Sequence, residues 1–522
     1  MNKIDRNKIP NINSLTLEEK VGQMLMFAFR GTEYNEQLET QIKELKVGGV
    51  IHFGHNIKDI KQVKKLNLNI QENANIPMFI GIDEEGGTVQ RIVEGMPPFP
   101  GAMAVSASKI SPYELCKVVG MKLKQLGFNM NFAPVGDVNN NPNNPVINSR
   151  SYSDDPKVCS KYVIDSFKGF QDGGVLPTCK HFPGHGDTSV DSHVSLPTVN
   201  KDIETLNKIE LVPFMDVINA GIDGIMASHI LYPSFDNKYP ATLSKKIIND
   251  LLKVKMGFEG LIVTDSLTMG AIHQNYTPRE IVNLASNAGI DLMIFCGKAD
   301  INDQREIYNA LLKEVKSGKI PMERIDESVS KILQYKLKYV INENSENVDD
   351  SEFYNIGKDI SRCSITKVFG DLTVNKDEKI LVIFPKIQVL TLVDNQNQNY
   401  ISLGTVLKNK FNNVDEVIVD GKSINIDEII KEITYKTKDY DKIIISTINV
   451  SKDDYFVKIV NSLNEETLNK TIITSLRSPY DIKYLQGVNS YYCLYEPTLL
   501  AFESFTECLL ENKFKGVLPI KL

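Results

Sequence analysis

The segment from 260 to 296 decides the fold: GLIVTDSLTMGA (260–271), a helix-like stretch over 278–288, then GIDLMIFC (289–296). An apolar run ends in Asp265, a turn of small residues follows, and an amphipathic segment leads into a second apolar run. Strands that are apolar on both faces and alternate with helices belong to a parallel sheet covered on both sides. The same grammar fills residues 15 to 340. Its other apolar runs are MLMFAF (24–29), VGGVIHFG (47–54), IPMFIGIDEEGG (76–87), GFNMNFAPVGDV (127–138), VLPTCKHFPGHG (175–186) and GIDGIMASHI (221–230). Helix-like segments lie at 59–73, 112–126, 157–173 and 203–220. Eight such units in about 300 residues match a (β/α)8 TIM barrel in count and length. A doubly wound sheet is the alternative, but no G-x-G-x-x-G opens a helix here.

Polar residues support the barrel. Asp83, Asn131, Lys180, His181, His229 and Asp265 all fall at the C-terminal ends of their runs. In a barrel those ends converge on the face that houses catalytic groups. One polar residue after a strand is only a turn; six converging ones predict a site.

The chain of 522 residues is too long for one ordinary domain. Residues 1–340 read as the barrel, and INENSENVDDSEFYNI (341–356) as a linker or exposed turn. Residues 357–522 read as a smaller C-terminal α/β sandwich with strands at 379–386, 416–421, 441–449 and 469–478. All seven histidines lie between 52 and 273, so the second domain has no imidazole to offer as acid or base.

Composition narrows the class. With 59 Lys and Arg against 66 Asp and Glu, net charge −7 and no basic cluster, a nucleic-acid partner is not expected. The seven scattered cysteines lack CxxC spacing and read as reduced thiols rather than a disulfide framework or a zinc ribbon. The N-terminus shows no signal-peptide run and no window of 18 apolar residues occurs, so a cytoplasmic protein without a membrane span is expected.

The densest chemistry is KHFPGHGDTSVDSH (180–193), with three His, two Asp and one Lys in a loop broken by Pro183, Gly184 and Gly186. Two readings compete. A metal site would draw on His181, His185, Asp187, Asp191 and His193. An acid/base site would use His193, held in one tautomer and made more basic by Asp191. Asp265 can attack an electrophilic sugar carbon or ligate a metal, although an N-cap role is common for Asp in that position. In GIDEEGGTVQR (81–91), Asp83 can accept a pair of sugar hydroxyls, while Glu84 and Glu85 read as turn or surface residues neutralised by Arg91. In NNPVINSRSYSDDP (143–156), Arg150 suits hydroxyl or carboxylate recognition.

The strings KHFPGHGDTSVDSH, GIDEEGGTVQR, NFAPVGDV, NSRSYSDDP and LIVTDSLTMGAI, in this order and spacing, resemble glycoside hydrolase family 3 and specifically its β-N-acetylglucosaminidase branch (the NagZ type). The resemblance spans roughly residues 15–340, and two-domain members carry an additional C-terminal α/β sandwich. It implies Asp265 as the nucleophile, His193 as general acid/base and Asp191 as its dyad partner. Asp83, Arg150, Lys180, His181 and His229 are implied to bind the non-reducing N-acetylglucosamine. No cofactor or metal is implied. The substrate class implied is peptidoglycan fragments, GlcNAc-MurNAc muropeptides. A phosphorylase using the same residues and a metal-dependent hydrolase built on the 181–193 loop remain the alternatives.

Overall fold

The computed structural model describes residues 9–189, 196–297, 300–341, 347–387, 394, 401–421 and 425–522. The N-terminal half forms strands β1 (Leu25–Ala28), β2 (Gly49–His52) and β3 (Phe79–Ile82), a short hairpin of β4 (Glu84–Gly86) and β5 (Val89–Gln90), then β6 (Met130–Asn131), β7 (Leu176–Phe182), β8 (Gly224–Ala227), β9 (Leu261–Thr264) and β10 (Met293–Phe295). Eight of these pair in parallel in the order β10-β1-β2-β3-β6-β7-β8-β9. A bridge between Val263 and Leu292 joins the two ends of that order and closes the barrel. Each strand lies inside one of the eight apolar runs. The shortest, β6, stops before Pro134, which has no N–H to donate. The carbonyls of Ala133 and Pro134 still accept from Thr178 and Lys180 at 3.0 and 3.1 Å.

Helices between the strands start where the side-chain chemistry allows. Asp59 caps Ile60–Asn73, Asp155 caps Pro156–Asp172 with proline in the first turn, and Thr277 with Glu280 forms a capping box on Pro278–Ala288. The 203–220 segment divides into Ile203–Lys208 and Leu211–Asn219. Pro213 explains the break, because its ring crowds the carbonyl four residues back, that of Ile209.

The C-terminal half forms β11 (Thr366–Phe369), β12 (Lys379–Pro385), β13 (Asn413–Val419), β14 (Lys442–Thr447), β15 (Thr471–Ser475) and β16 (Tyr491–Cys493). They make one sheet in the order β11-β16-β15-β14-β12-β13, parallel except for β11 against β16. Neither β11 nor β16 stands out as an apolar run, since each is short and pairs at one edge of the apolar middle. Alternating side chains serve two cores. Ile443, Ile445 and Ile473 face one, with Phe456, and Ile444 and Ile472 face the other, with Phe502 and Phe505. The first core also takes in Met103, Ala104 and Ala107 from the helix Ala102–Ser108 of the barrel half. The two halves are therefore packed together through shared apolar surface, reinforced by Val517 N–H donating to the Ala107 carbonyl at 2.9 Å.

Of the stretch 341–356 read as a linker, 342–346 lie outside the described residues and 350–356 open the helix Asp350–Ser364, capped by Asp349. That helix is amphipathic, with Phe353, Gly357 and Ile360 buried, which overrides the polar composition of its first turn. All seven cysteines are free thiols. Among the described residues no helix is long and apolar enough to cross a membrane.

Candidate active site

At the C-terminal ends of the barrel strands lies a cavity of about 490 Å³, lined among others by Asp83, Arg150, Lys180, His181, His185 and Asp265. Its volume is in the range of small-ligand sites. Asp83 follows β3, Lys180 and His181 end β7, and Asp265 follows β9. Lys180 and His181 are neighbours in sequence, yet both line the cavity; the pairing of β7 with β8 shifts register between Cys179 and Phe182, which breaks the simple alternation of a strand.

One wall is a compact charge cluster. Lys180 Nζ stands 2.6 Å from Asp83 Oδ1 and 2.7 Å from Glu85 Oε1. Arg150 donates to both Glu85 oxygens, Nε at 2.9 Å and Nη2 at 2.8 Å, in a bidentate fork. Burial pushes the Glu85 carboxyl up, but the Arg150 and Lys180 charges outweigh it and hold the group well below the usual carboxylate range. Glu85 is thus no surface residue, contrary to the reading of the Glu84–Glu85 pair. Gly86 and Gly87, at φ +93° and +59°, turn the β4–β5 hairpin tightly and direct Glu85 inward. Glu84 is likewise buried. Burial pushes its carboxyl up to about 8, although the Arg91 N–H donates to Oε2 at 2.9 Å. The Arg91 guanidinium lines the cavity instead, 4.0 Å from Asp83.

On the adjoining wall the His181 ring pairs with Asp137 through Nδ1 at 2.7 Å. Burial raises the Asp137 carboxyl, but His181 and His185 nearby bring it below its ordinary value. Oδ1 of Asp137 also accepts the N–H groups of His181 and His185 at 3.0 and 2.7 Å. Such a pair fixes the ring orientation of His181 and leaves Nε2 as its other face. Burial pushes His185 down to about 4, so it lines the cavity as a neutral ring.

Asp265 lines the cavity with Oδ1 accepting the N–H of Ser266 at 2.7 Å. His229 was expected to contact the sugar, but it sits one layer back. Its ring is 1% exposed, Nε2 donates to the Ser266 carbonyl at 2.8 Å and Nδ1 meets Thr242 at 2.8 Å. It braces the residue after Asp265 and is not among the cavity-lining residues. Asp191 and His193 lie outside the described residues. Among the described residues no group of three His, Cys, Asp or Glu side chains is placed to hold a metal ion.

Sequence reasoning passed over three carboxylates here: Glu85, Asp137 and Asp394. Asp137 lies in the run GFNMNFAPVGDV, six residues past the end of β6, and a carboxylate in that run is the signal that could have found it. Asp394 lines the cavity from the C-terminal half and pairs with the fully buried Arg477 at 3.0 Å. No local pattern ties residue 394 to the barrel.

The glycosyl hydrolase family 3 N-terminal domain matches residues 16–335. Beta-hexosaminidase A of Pseudoalteromonas piscicida is 33% identical over 437 residues, covering 76% of this chain and 73% of that one. The structure of a glycoside hydrolase family 3 β-N-acetylglucosaminidase from Paenibacillus sp. str. FPU-7 superposes with a TM-score of 0.90 at 35% identity, covering 98% of this chain and 99% of that one. The beta-glucoside phosphorylase BglX shares the fold, with a TM-score of 0.81 at 21% identity over 99% of this chain and 97% of that one. With the barrel, the strand-end cavity and these likenesses in agreement, the chain belongs to glycosyl hydrolase family 3.

Proposed function

We propose that this enzyme is a retaining exo-β-N-acetylglucosaminidase, a β-N-acetylhexosaminidase that removes terminal β-linked GlcNAc from GlcNAc-MurNAc fragments of peptidoglycan during cell-wall recycling in the cytoplasm. The observation that carries the reading is one cavity holding Asp265 together with Asp83, Arg150, Lys180 and His181. The names of the relatives from Pseudoalteromonas piscicida and Paenibacillus support the same activity.

In this mechanism Asp83, Lys180, Arg150 and His181 hold the hydroxyls of the terminal sugar. The Asp265 carboxylate attacks the anomeric carbon as the glycosidic C–O bond breaks, and His193, paired with Asp191, gives its proton to the departing oxygen. A covalent glycosyl-enzyme results, with the configuration inverted once. His193 then takes a proton from water, whose oxygen attacks the same carbon and displaces Asp265. The second inversion restores the β configuration, and His193 ends protonated as it began.

A phosphorylase would use the same steps with phosphate in place of water. The charge layout favours water. Lys180 and Arg150 are matched one for one by Asp83 and Glu85 at 2.6–2.8 Å, an arrangement suited to uncharged hydroxyls rather than a phosphate dianion.

Hydrolysis of a chromogenic β-N-acetylglucosaminide, with and without phosphate, by wild type and by Asp265→Asn is the direct test. The reading expects phosphate-independent turnover that collapses by several orders of magnitude in the variant. Release of GlcNAc-1-phosphate that rises with phosphate would make the enzyme a phosphorylase. Silence on this substrate with turnover of the matching β-glucoside would remove the N-acetyl specificity. Loss of turnover in EDTA would revive the metal-dependent alternative.

A further inference from the structure

A buried carboxyl of the C-terminal half reaches the back of the sugar-binding turn. Glu496 is 3% exposed. Its Oε2 accepts the N–H of Gly101 at 2.8 Å, and its Oε1 accepts the Thr498 hydroxyl at 3.0 Å. Gly101 leads into the helix Ala102–Ser108, the same helix whose Met103, Ala104 and Ala107 lie in the second domain's core. Among the described residues Glu496 makes no ion pair, so it is a buried acid held by neutral donors alone. Such a group costs stability compared with an apolar one of its size. Its position explains what it holds.

Gly87 N–H donates to the Phe99 carbonyl at 2.9 Å. A Cβ on Gly87 would stand 2.6 Å from Glu496 Oε2, and one on Gly86 would stand 2.8 Å from the Phe99 ring. The Gly86–Gly87 turn is therefore wedged between Phe99 and Glu496 with no room for a methyl group on either residue. Glu85 precedes this turn directly, and Asp83 lies two residues further back. Glu85, Arg150 and Glu496 also line one small cavity of about 30 Å³ behind the turn.

We propose that Glu496 is a positioning residue of the active site, through which the C-terminal half fixes the Gly86–Gly87 turn and so sets Glu85 against Lys180 and Arg150 for the terminal sugar. The proposal rests on the assignment of the cavity to a β-linked GlcNAc. Glu496 touches neither the sugar nor the reacting atoms. Asp265 arrives on a different strand, so loss of Glu496 should weaken sugar binding more than it slows bond cleavage.

The test compares full-length wild type, Glu496→Ala and Glu496→Gln for KM and kcat on a chromogenic β-N-acetylglucosaminide, for the inhibition constant of free GlcNAc, and for melting temperature. Glutamine keeps an acceptor for Gly101 and a donor for Thr498. The expected result is a rise of about tenfold in KM and in the GlcNAc inhibition constant for Glu496→Ala, with kcat reduced less than threefold, and both binding constants restored by Glu496→Gln. Wild-type binding constants in Glu496→Ala would overturn the proposal. So would a fall in kcat at unchanged GlcNAc affinity, or a Gln variant as impaired as the Ala variant. If Glu496→Ala gives no folded protein, Glu496→Asp carries the same comparison, its carboxyl lying one methylene short of Gly101. A wild type that neither turns over the substrate nor binds GlcNAc would instead sink the functional assignment on which the proposal stands.

Discussion

Replacing Glu85 by leucine would remove one of the two carboxylates that face Arg150 and Lys180. The three side chains are all close to fully buried: Arg150 is 4% exposed, Lys180 2% and Glu85 7%. With Asp83 the cluster holds two negative and two positive groups, and the substitution leaves an excess buried cation. Three charge-assisted contacts vanish, at 2.9, 2.8 and 2.7 Å. Breaking a buried pair from one side costs about 3–5 kcal/mol, because the remaining charge stays desolvated. At the low end of the usual conversion, roughly 2 °C per kcal/mol in larger domains, the melting temperature should fall by about 6–10 °C. The effect also has a predictable pH dependence. The folded state holds the Glu85 carboxyl well below its ordinary value of 4.5, so this stabilisation is present above that pH and lost progressively as pH falls below it. Thermal melts of wild type and Glu85→Leu at pH 7 and near pH 4 therefore provide the assay, with the gap between the curves expected to narrow in acid. A variant that melts within 2 °C of wild type at neutral pH would refute the reasoning, as would a gap that widens in acid.

Two further outcomes follow from buried groups elsewhere. Burial raises the Glu84 carboxyl from 4.5 to about 8, so wild type loses stability as pH climbs through that interval, and Glu84→Gln, which keeps an acceptor for the Arg91 N–H, should not; chemical denaturation at pH 5 and pH 8 should show the variant gaining on wild type by a few kcal/mol, about 1.4 per unit of pKa difference at most. Met103 is fully buried in the core shared with the C-terminal half. Met103→Ala should cost about 2–5 kcal/mol in the whole chain and far less in a chain ending at residue 340, where that face meets water; equal costs in both, measured by denaturant unfolding, would show that the helix is buried within the barrel alone.

The barrel was readable because its signal is local. Each unit carries its own apolar run and its own polar strand end, and Asp83, Arg150, Lys180, His181 and Asp265 meet in one cavity because the closed sheet brings those ends together. What escaped depended on partners far away in the chain. Glu85 looks like any glutamate in a glycine-rich turn until Arg150 and Lys180 are known to stand opposite it. Ala102–Ser108 carries no local pattern that names its partner, and only the arrival of Ile443, Ile445 and Ile473 gives its small side chains a core to join. His229 shows the converse. A strand-end histidine matches the pattern of a sugar ligand, yet both ring nitrogens are engaged inside the protein by Thr242 and Ser266. Strand-end position selects residues near the chemistry without separating the groups that face the cavity from the groups that hold them.

That distinction bears on how the two halves work together. If the barrel's charge cluster were held only by barrel residues, the C-terminal half could be removed at the cost of exposed apolar surface and little else. Two contacts argue otherwise: Asp394, paired with Arg477, lines the cavity itself, and Glu496 backs the turn that carries Glu85. Glu496 lies just past the C-terminal end of β16 of the second sheet. Loops at the C-terminal ends of parallel strands are where α/β sheets place their binding groups. Here Glu496 stands behind the first sheet's site, so a chain lacking the second sheet would keep Asp265 in the barrel while losing the contacts that Glu496 and Asp394 make there.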